Sequence, residues 1–534
     1  RFSPGLLAEL AQNEDGIDPA LERLRAHDVL YRETHSSDYV FKHALLRECV
    51  YQSLVTSRRT ALHLAVADAL ARRAANRLQE AAETLAFHYG QTERTDQAFR
   101  FSAMAGDKSL GVYSLDEANK YFTSALALYK TDPDCATKEE FTALLSSFAL
   151  CANISLRVQD VISLADTVRP LLTQVGDNRH HVLFLHHLVS CLVCNGKYHE
   201  AALVQKELTQ MADRLGDPPS LVYALVNELS VSIYCAPIPN EAFKAKARQV
   251  EQYLTRLDAA YIQNFFLATL GWNELTRGRV TEAHAAADRM LAVGEDNNDP
   301  RSLGYGTAMK ALIAMVTDNH AHALEMAEAG KKASKVEFEW AIAEAARVGA
   351  MVPLEQPGAI DMIKEHIRTC DEKGWSLFTL GPATMLGVAY AMDGRIAKGL
   401  HQIETQIEKR INEGTQIATD WARLFLCELY LAILTGDGGA SLGVLLRNFR
   451  SIIWVMLFGE KRLITMIDQI RRNPSFENDG YYIARCDMIM GLLYKSKKQR
   501  RLALEYLTRA KVVVETAGKS PMLTRIHDAL AELA

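Results

Sequence analysis

The sequence is short of features that would point to several large classes of protein. Only 14 of its 534 residues are proline, and no alternation of apolar and polar residues runs far enough to indicate an extended sheet. This composition favours helices. The most apolar run, residues 452–458, covers seven residues, whereas a membrane helix needs about 20. We therefore expect a helical protein with no membrane partner, and we interpret the run as a buried helix.

The chain also lacks a dominant charge and a disulfide framework. Its 60 basic and 65 acidic residues give a formal net charge of −5. Because no basic field would attract phosphates, nucleic acid is not an expected partner. The nine cysteines are scattered, which indicates a reducing compartment and hence a cytoplasmic location. No secretory signal opens the chain. Since it begins at Arg1 without a methionine, we expect it to start inside a longer polypeptide.

What the sequence has instead is a helix-hairpin signal that recurs about every 40 residues. One clear copy reads Leu386-Gly387-x-x-Tyr390 and continues to Gly399 in the next helix, and residues 490–510 repeat the pattern. The small residue in each helix lets the partner helix approach closely. The aromatic side chain one turn later fills the gap beside the contact. The pattern therefore predicts pairs of tightly packed antiparallel helices.

The small position of the second helix marks ten such hairpins. We place it at Ala118, Leu164, Ala201, Ala242, Ala283, Ala323, Ile360, Gly399, Leu442 and Ala503. Regular self-similarity of this kind is typical of stacked arrays in which each hairpin buries its apolar face against its neighbours. We therefore predict an all-α fold, a tetratricopeptide-like α-solenoid of about nine to eleven hairpins over residues 66–534. The long step before Ala503 leaves room for an extra helix at roughly residues 442–472.

Residues 1–65 follow a different pattern. Apolar residues predict a helix through Leu6 and Leu10 and a second helix around Leu21. Two short apolar runs, residues 29–31 and 39–41, flank a polar turn and predict a hairpin. A third helix is expected to start near His43. This order of elements suggests a small N-terminal winged-helix region.

One segment has a distant likeness to a phosphate-binding loop. Gly518-Lys519-Ser520 matches its last three positions, but Val513 stands where the loop requires another glycine. The segment also follows a helix rather than a strand. We therefore interpret Gly518 as a helix C-cap.

The densest group of metal-ligand residue types lies between residues 180 and 199. Its members are His180, His181, His186, His187, Cys191, Cys194 and His199. Three of them, His187, Cys191 and Cys194, could share one face of a helix, and zinc accepts such ligands. Because the sequence offers no second C-x-x-C pair, we favour buried thiols and surface imidazoles over a metal site.

Two basic segments also suggest binding sites. Lys495, Lys497, Lys498, Arg500 and Arg501 form a run that we interpret as a solvated helix connection. The third helix of residues 1–65 offers few donors for base edges, and only Arg58-Arg59 follows it, so we favour a packing module over a DNA-binding one. No catalytic, cofactor-binding or metal residue is assigned, and we do not expect the chain to be an enzyme.

Two stretches carry a resemblance to a known class of proteins. One is YVFKHALLRECVY at residues 39–51 with Arg58-Arg59 after it, and the other joins LAFHY at 85–89, AMAG at 103–106 and DEA at 116–118. They resemble the region after the ATPase module in large bacterial signalling proteins. In those proteins a class III adenylate or guanylate cyclase domain, or another output domain, precedes an AAA/STAND-type NTPase and a tetratricopeptide tail. The resemblance is strongest for residues 29–130.

The resemblance implies a regulatory role. Residues 1–65 would be the winged helix that closes an upstream NTPase module, and ATP and Mg would belong to those absent upstream domains. Residues 66–534 would bind a protein or small effector on the concave face, which the first helix of each hairpin usually lines, and would regulate the attached cyclase or ATPase by intramolecular contact. One alternative is the sensor region of a large ATP-binding LuxR-type transcription regulator. The other is a free-standing tetratricopeptide scaffold.

Overall fold

The chain forms two compact units, residues 1–151 and 152–534, in a computed structural model. The structure describes residues 2–533 except 12, 13, 34, 35, 37, 173, 256–259, 335, 437–441 and 519. The domain boundary expected near residue 65 lies inside the first unit and stays a prediction. No helix in the described part of the chain combines the length and apolar character that crossing a membrane requires.

The first unit opens with the predicted order of helix, helix, hairpin and helix. The elements are α1 (Pro4–Ala11), α2 (Glu14–Ala26), β1 (Leu30–Arg32), β2 (Tyr39–Phe41) and α3 (Ala44–Ser53). The two strands are antiparallel, with Tyr31 opposite Val40. Leu21, Leu30 and Tyr39 form a small core beneath them. The order of elements predicted for these residues is confirmed.

Helices alone make up the rest of the first unit. They are α4 (Thr56–Arg73), α5 (Ala82–Tyr89), α6 (Thr95–Gly111), α7 (Leu115–Thr131) and α8 (Lys138–Ile154), the last of which contains the boundary between the units. In the hairpin of α6 and α7, Ala118, Phe122 and Ala125 are all fully buried. A Cβ atom at Gly106 would collide with the Phe122 ring, so this glycine allows the two helices to pack.

The second unit continues as helix after helix. They are α9 (Val158–Leu172), α10 (Arg179–Asn195), α11 (Tyr198–Leu215), α12 (Pro218–Tyr234), α13 (Asn240–Leu254), α14 (Ala260–Arg277), α15 (Val280–Asp296), α16 (Pro300–Val316), α17 (His320–Ala333), α18 (Glu337–Met351), α19 (Ala359–Lys373), α20 (Leu380–Met392), α21 (Ile396–Glu413), α22 (Gln416–Thr435), α23 (Leu442–Trp454), α24 (Glu460–Arg471), α25 (Tyr481–Ser496), α26 (Arg500–Thr516) and α27 (Pro521–Ala531). A 3₁₀ turn, Ser376–Thr379, precedes α20.

In chain order, the described helices from α6 to α26 form ten pairs of a first and a second helix. The first helices are α6, α8, α10, α12, α14, α16, α18, α20, α22 and α25. This arrangement confirms the predicted all-α, tetratricopeptide-like α-solenoid and its nine to eleven hairpins. Each pair buries an apolar stripe against its neighbours, so no pair could form a core alone.

The predicted small positions are fully buried in several second helices. Ala118, Ala201, Ala283, Ala323 and Ala503 have 0% of their surface exposed. At two hairpins the predicted position is wrong by one residue, because α13 buries Phe243 in place of Ala242 and α19 buries Ala359 in place of Ile360. Since α13 buries a side chain as large as Phe243 at this contact, the spacing of the buried residues along the helix determines which residue makes the contact. The size of that residue is secondary. The side chain of Leu442 lies outside the described residues.

The extra helix predicted at residues 442–472 is present. Helix α23 continues through a π-helical turn, residues 455–459, into α24. The prediction that the apolar run 452–458 is buried was wrong for most of its length, since Met456, Leu457 and Phe458 are 55%, 69% and 56% exposed. Along α23 and this turn, burial is confined to one edge containing Asn448, Val455 and Gly459. The remaining apolar side chains therefore face outwards.

The contact between α20 and α21 gives a direct test of this packing. A Cβ atom at Gly399 would lie 3.0 Å from the Ala391 amide nitrogen and closer still to the Gly387 carbonyl oxygen, whereas one at Gly443 would meet nothing within 4 Å. We expect Gly399→Ala to destabilise the α20–α21 pair by about 1–3 kcal/mol, because the backbone atoms of α20 that the new methyl group would meet cannot move aside. Gly443→Ala should be neutral or stabilise by up to about 1 kcal/mol. Thermal unfolding and amide hydrogen exchange in α20 and α21 measure both, and equal stability of the two variants would contradict the close contact.

Candidate functional site

The first helices of the second unit line a cavity of about 240 Å³. Its lining residues come from the end of α8 and from α10, α12, α14, α16, α18, α20, α22 and α25, together with the 3₁₀ turn before α20. Among the described lining residues, none belongs to a second helix. The first helices therefore line this cavity, while their place on a concave face stays a prediction.

Five polar side chains cross the cavity wall at a constant interval. Asn153, Ser190, Asn227, Asn264 and Arg301, which we call the polar row, each follow the previous one by 37 residues. Because the hairpins recur about every 40 residues, each member lies about one helical turn nearer the start of its helix than the last. The row thus runs obliquely, from the end of α8 to the first turn of α16.

Aromatic and aliphatic side chains form most of the remaining wall. They include Phe265, Trp272, Tyr305, Phe338, Phe378 and Phe425. The Trp272 indole nitrogen donates a hydrogen bond to the Tyr305 hydroxyl at 2.7 Å. This bond satisfies the indole donor within the wall. An apolar wall with a few placed polar groups is the usual composition of a small-molecule site.

The orientation of Asn227 is determined by its neighbour His186. The Asn227 Nδ2 lies 2.8 Å from the His186 Nδ1 and 3.4 Å from the His186 carbonyl oxygen. Because a carbonyl oxygen only accepts, Nδ2 is the donor and the imidazole Nδ1 accepts, which puts the ring proton on Nε2. Burial lowers the pKa of His186 to about 3, so the ring is neutral. The amide oxygen of Asn227 has no hydrogen-bond partner among the described residues.

Three members of the polar row have unused hydrogen-bonding capacity. Within the described part of the chain, the Ser190 Oγ, the Asn227 Oδ1 and the Asn264 Oδ1 have no hydrogen-bond partner. These side chains are only 8%, 1% and 6% exposed. An unpaired buried polar group costs about 1–3 kcal/mol. Three such oxygens on adjacent first helices at one cavity therefore mark a candidate binding site.

The charged lining residues are paired inside the protein. Arg301 lies 3.1 Å from the fully buried carboxylate of Glu339. Arg485 lies 3.1 Å from Asp318 and 2.6 Å from Glu428. Burial alone would lower the pKa of Arg485, but these two carboxylates raise it well above its ordinary value. Both guanidinium groups are thus charged and already neutralised by carboxylates.

Contacts between segments distant in sequence fix the spacing of the cavity walls. The Trp375 indole nitrogen donates to the Leu156 carbonyl oxygen, 219 residues away, at 2.7 Å. At a second seam, the Tyr481 amide donates to the Gly278 carbonyl oxygen at 2.8 Å. Gly278 has a φ of +81°, and a Cβ atom there would lie 2.7 Å from the Tyr481 nitrogen. Glycine is therefore required at this seam on both counts.

The histidine and cysteine group predicted on one helix lies on α10 and the start of α11. His181, His186, His187, Cys191 and Cys194 are buried, whereas His199 is exposed. Burial raises the pKa of the Cys194 thiol to about 12 and lowers that of His187. In the described part of the chain, no three His, Cys, Asp or Glu side chains come together as metal ligands would. Three imidazoles predicted at the surface are instead buried, because α10 lies between neighbouring helices.

The two remaining sequence candidates occupy helix ends. Gly518 has a φ of +96° just after α26, as expected of a C-cap glycine, and Ser520 caps α27 by accepting a hydrogen bond from the Leu523 amide. Lys519 lies outside the described residues. In the basic run, Lys495 pairs with Glu532 at 2.6 Å and Lys497 pairs with Glu460 at 2.5 Å.

Sequence reasoning did not find the cavity residues, although a signal for them exists. Asparagines at positions 227 and 264 lie among apolar residues in their first helices, and their 37-residue spacing continues in both directions. A search for polar residues at a repeat interval, inside helices that should be buried, would have found the row. Searching for known motifs could not, because no motif contains it.

Comparisons with known proteins give a fold likeness only. No protein-family model and no curated protein matches the sequence. Among solved structures, a Rap protein complexed with Competence and Sporulation Factor is 10% identical, with 66% of this chain and 97% of that chain covered and a TM-score of 0.42. The APC/C hetero-tetramer Cut9-Hcn1 is 12% identical, with 92% and 99% covered and a TM-score of 0.28. A monomeric mutant of IFIT1 with m7Gppp-AAAA is 13% identical, with 78% and 90% covered and a TM-score of 0.34. TM-scores this low carry no argument about function.

The ion pair of Arg301 and Glu339 provides a test of the cavity's electrostatics. Arg301→Met leaves a buried carboxylate without its cation and should destabilise the second unit by about 3–5 kcal/mol at pH 8. Adding Glu339→Leu should restore most of that loss, because an apolar pair of similar volume avoids both desolvation costs. Urea unfolding of the two variants and the parent chain measures the difference, and equal losses in both variants would contradict the pairing.

The same variant has a predicted pH dependence. Burial raises the pKa of Glu339, and Arg301 opposes that rise. Without Arg301 the folded state therefore binds a proton more readily than the unfolded state does, so stability is lost as pH rises through the folded pKa. The deficit of Arg301→Met relative to the parent chain should shrink as the pH falls from 8 towards 5. A deficit independent of pH would show that Glu339 does not titrate.

Proposed function

We propose that this chain is a non-catalytic, effector-binding repeat region that regulates an attached nucleotide cyclase or ATPase. The observation that carries the proposal is the cavity, with its apolar walls and the three unpaired buried oxygens of the polar row. A volume of about 240 Å³ suits a small effector rather than a folded protein.

The seams suggest how binding would alter the protein. Segments that flank the cavity and lie far apart in sequence are joined by hydrogen bonds such as that from Trp375 to Leu156 and that from Asn195 to Gly374, which measures 2.9 Å. An effector that contacts both walls would favour one spacing of the helices over another. A ligand shifts such an equilibrium only by its difference in affinity for the two states. Regulation therefore requires contacts on both sides of the cavity at once.

Helix α3 supplies a surface suited to the attached module. None of its described residues is buried. Leu45 is 81% exposed, and Leu46 and Val50, which lie one turn apart on the helix, are 37% and 49% exposed. Tyr51 instead contacts α4, where its hydroxyl lies 3.0 Å from the His63 Nε2. We assign the exposed apolar side chains of α3 to intramolecular contact with an upstream NTPase, for which residues 1–65 would act as a winged helix and which would bind ATP and Mg in the cytoplasm.

The decisive test begins with the reading frame upstream of Arg1. If it encodes a P-loop NTPase or a cyclase domain, deletion of residues 131–534 from the full-length protein should change nucleotide turnover and abolish its response to cell extract. Unchanged turnover and response would overturn the regulatory role. A start codon just before Arg1 would leave a free-standing repeat scaffold, and the regulatory proposal would fail.

The α3 surface makes a separate prediction for that full-length protein. Leu45→Glu with Val50→Glu should uncouple the response to extract from turnover, because two carboxylates would be placed in an apolar contact. Folding should be unaffected, since exposed substitutions usually change stability by less than about 0.5 kcal/mol. Val112→Glu is the matched control, because Val112 is 73% exposed elsewhere in the first unit. An intact response in the double variant would remove α3 from the coupling.

A further inference from the structure

We infer that the cavity ligand is a small, uncharged and mainly aromatic or aliphatic molecule that donates at least one hydrogen bond to the asparagine oxygens of the polar row. This inference rests on the proposed function, in which the cavity is the effector site. It is carried by three observations: the size of the cavity, the pairing of its charges, and the chemistry of its unpaired oxygens.

The size of the cavity limits the ligand to a compact molecule. An engineered protein cavity of about 150 Å³ holds one benzene molecule. By that measure, the cavity of about 240 Å³ accommodates roughly ten non-hydrogen atoms. A bicyclic ring with a short substituent has this size, whereas a nucleotide or a folded peptide is larger.

The charges around the cavity exclude an ionic ligand. Among the described lining residues, Arg301 and Arg485 are the charged ones. Each already contacts a carboxylate, Glu339 for the first and Asp318 and Glu428 for the second. An anion would have to compete with those carboxylates, and a cation would meet two guanidinium groups. A neutral molecule incurs neither cost.

Two unpaired acceptors of the polar row indicate a polar group that the ligand carries. The Asn227 and Asn264 atoms without partners are both Oδ1, which accepts a hydrogen bond and cannot donate one. At Asn227 this assignment follows from the contact of Nδ2 with the His186 carbonyl oxygen. The two asparagines lie on α12 and α14, which pack against each other. A ligand N–H or O–H directed at this part of the wall would satisfy an otherwise unpaired buried acceptor.

Indole and benzofuran test the inference, because they share size and shape and differ in the N–H donor. We expect the 534-residue chain to bind indole about tenfold more tightly than benzofuran, as measured by isothermal titration calorimetry and ligand-observed NMR. In Asn264→Leu the preference should shrink, and in the double variant Asn227→Leu with Asn264→Leu it should disappear, with benzofuran bound at least as well as by the parent chain. Circular dichroism checks that both variants are folded. Equal binding of the two probes by the parent chain would overturn the donor requirement.

Two glycine variants locate the site without removing a polar group. Gly381 lines the cavity and is the second residue of α20, and Gly443 is the second residue of α23. A Cβ atom at either would meet nothing within 4 Å. Because Gly381 is solvent-exposed, Gly381→Trp should block the opening of the cavity and abolish binding of both probes, while Gly443→Trp should bind them as the parent chain does. Binding retained in Gly381→Trp would place the probes elsewhere and overturn the inference.

The outcomes separate this inference from the proposed function. If indole binds as expected but deletion of residues 131–534 leaves the full-length protein's turnover and response unchanged, the site stands and its regulatory role fails. If the deletion abolishes the response but neither probe binds the chain, regulation stands and the ligand class is wrong. In that case the results for Asn264→Leu and Gly381→Trp bear on the identity and position of the ligand, and they do not bear on regulation.

Discussion

The arrangement of the second unit depends on a buried arginine. Arg485 contacts Asp318 just after α16, Glu428 on α22 and the Val316 carbonyl oxygen, so one side chain joins three segments that are distant in sequence. A guanidinium group can be buried only where its donors are satisfied and its charge is balanced, and breaking such a group by removing one partner costs about 3–5 kcal/mol. The geometry of these three segments is thereby fixed to within hydrogen-bond distance. Because Arg485 also lines the cavity, the same constraint holds part of the cavity wall in place.

The polar row follows from a mismatch between two periods. The hairpins recur about every 40 residues, while the row advances by 37. If the two periods were equal, the row would run straight across the helices at one level. The difference of about one helical turn per hairpin tilts the row, so that adjacent first helices present their polar groups at successive levels. A solenoid can therefore place several hydrogen-bonding groups along one cavity without a specialised loop, because register alone aligns them.

Much of the fold could be predicted from the sequence, and the site could not. Gly387 and Gly399 predict a close helix pair, and the structure places the carbonyl oxygen of each within 3 Å of where a Cβ atom on the other would be. Such contacts are local, so spacing in the sequence reveals them. The cavity instead depends on pairings such as Trp375 with Leu156, 219 residues apart, which no local pattern encodes. The exposed run 452–458 failed as a prediction for a related reason, because hydrophobicity indicates that a surface should be covered without indicating what covers it.

The seam at Trp375 differs from the ion pairs around Arg485, which we call the charged seam, in the energy needed to change it. At the charged seam, Arg485 is only 13% exposed and pairs with Asp318 and Glu428, so separating these segments would leave charges uncompensated. Near Trp375 the seam consists of neutral hydrogen bonds, from the indole to the Leu156 carbonyl oxygen and from Asn195 to the Gly374 carbonyl oxygen. Each is worth about 0.5–1.5 kcal/mol net. A ligand that alters the spacing of the cavity walls would therefore act mainly on the neutral seam, while the charged seam stays fixed. Leu156 directly follows α8, the helix that contains the boundary between the two units, so a change at the neutral seam falls close in sequence to that boundary.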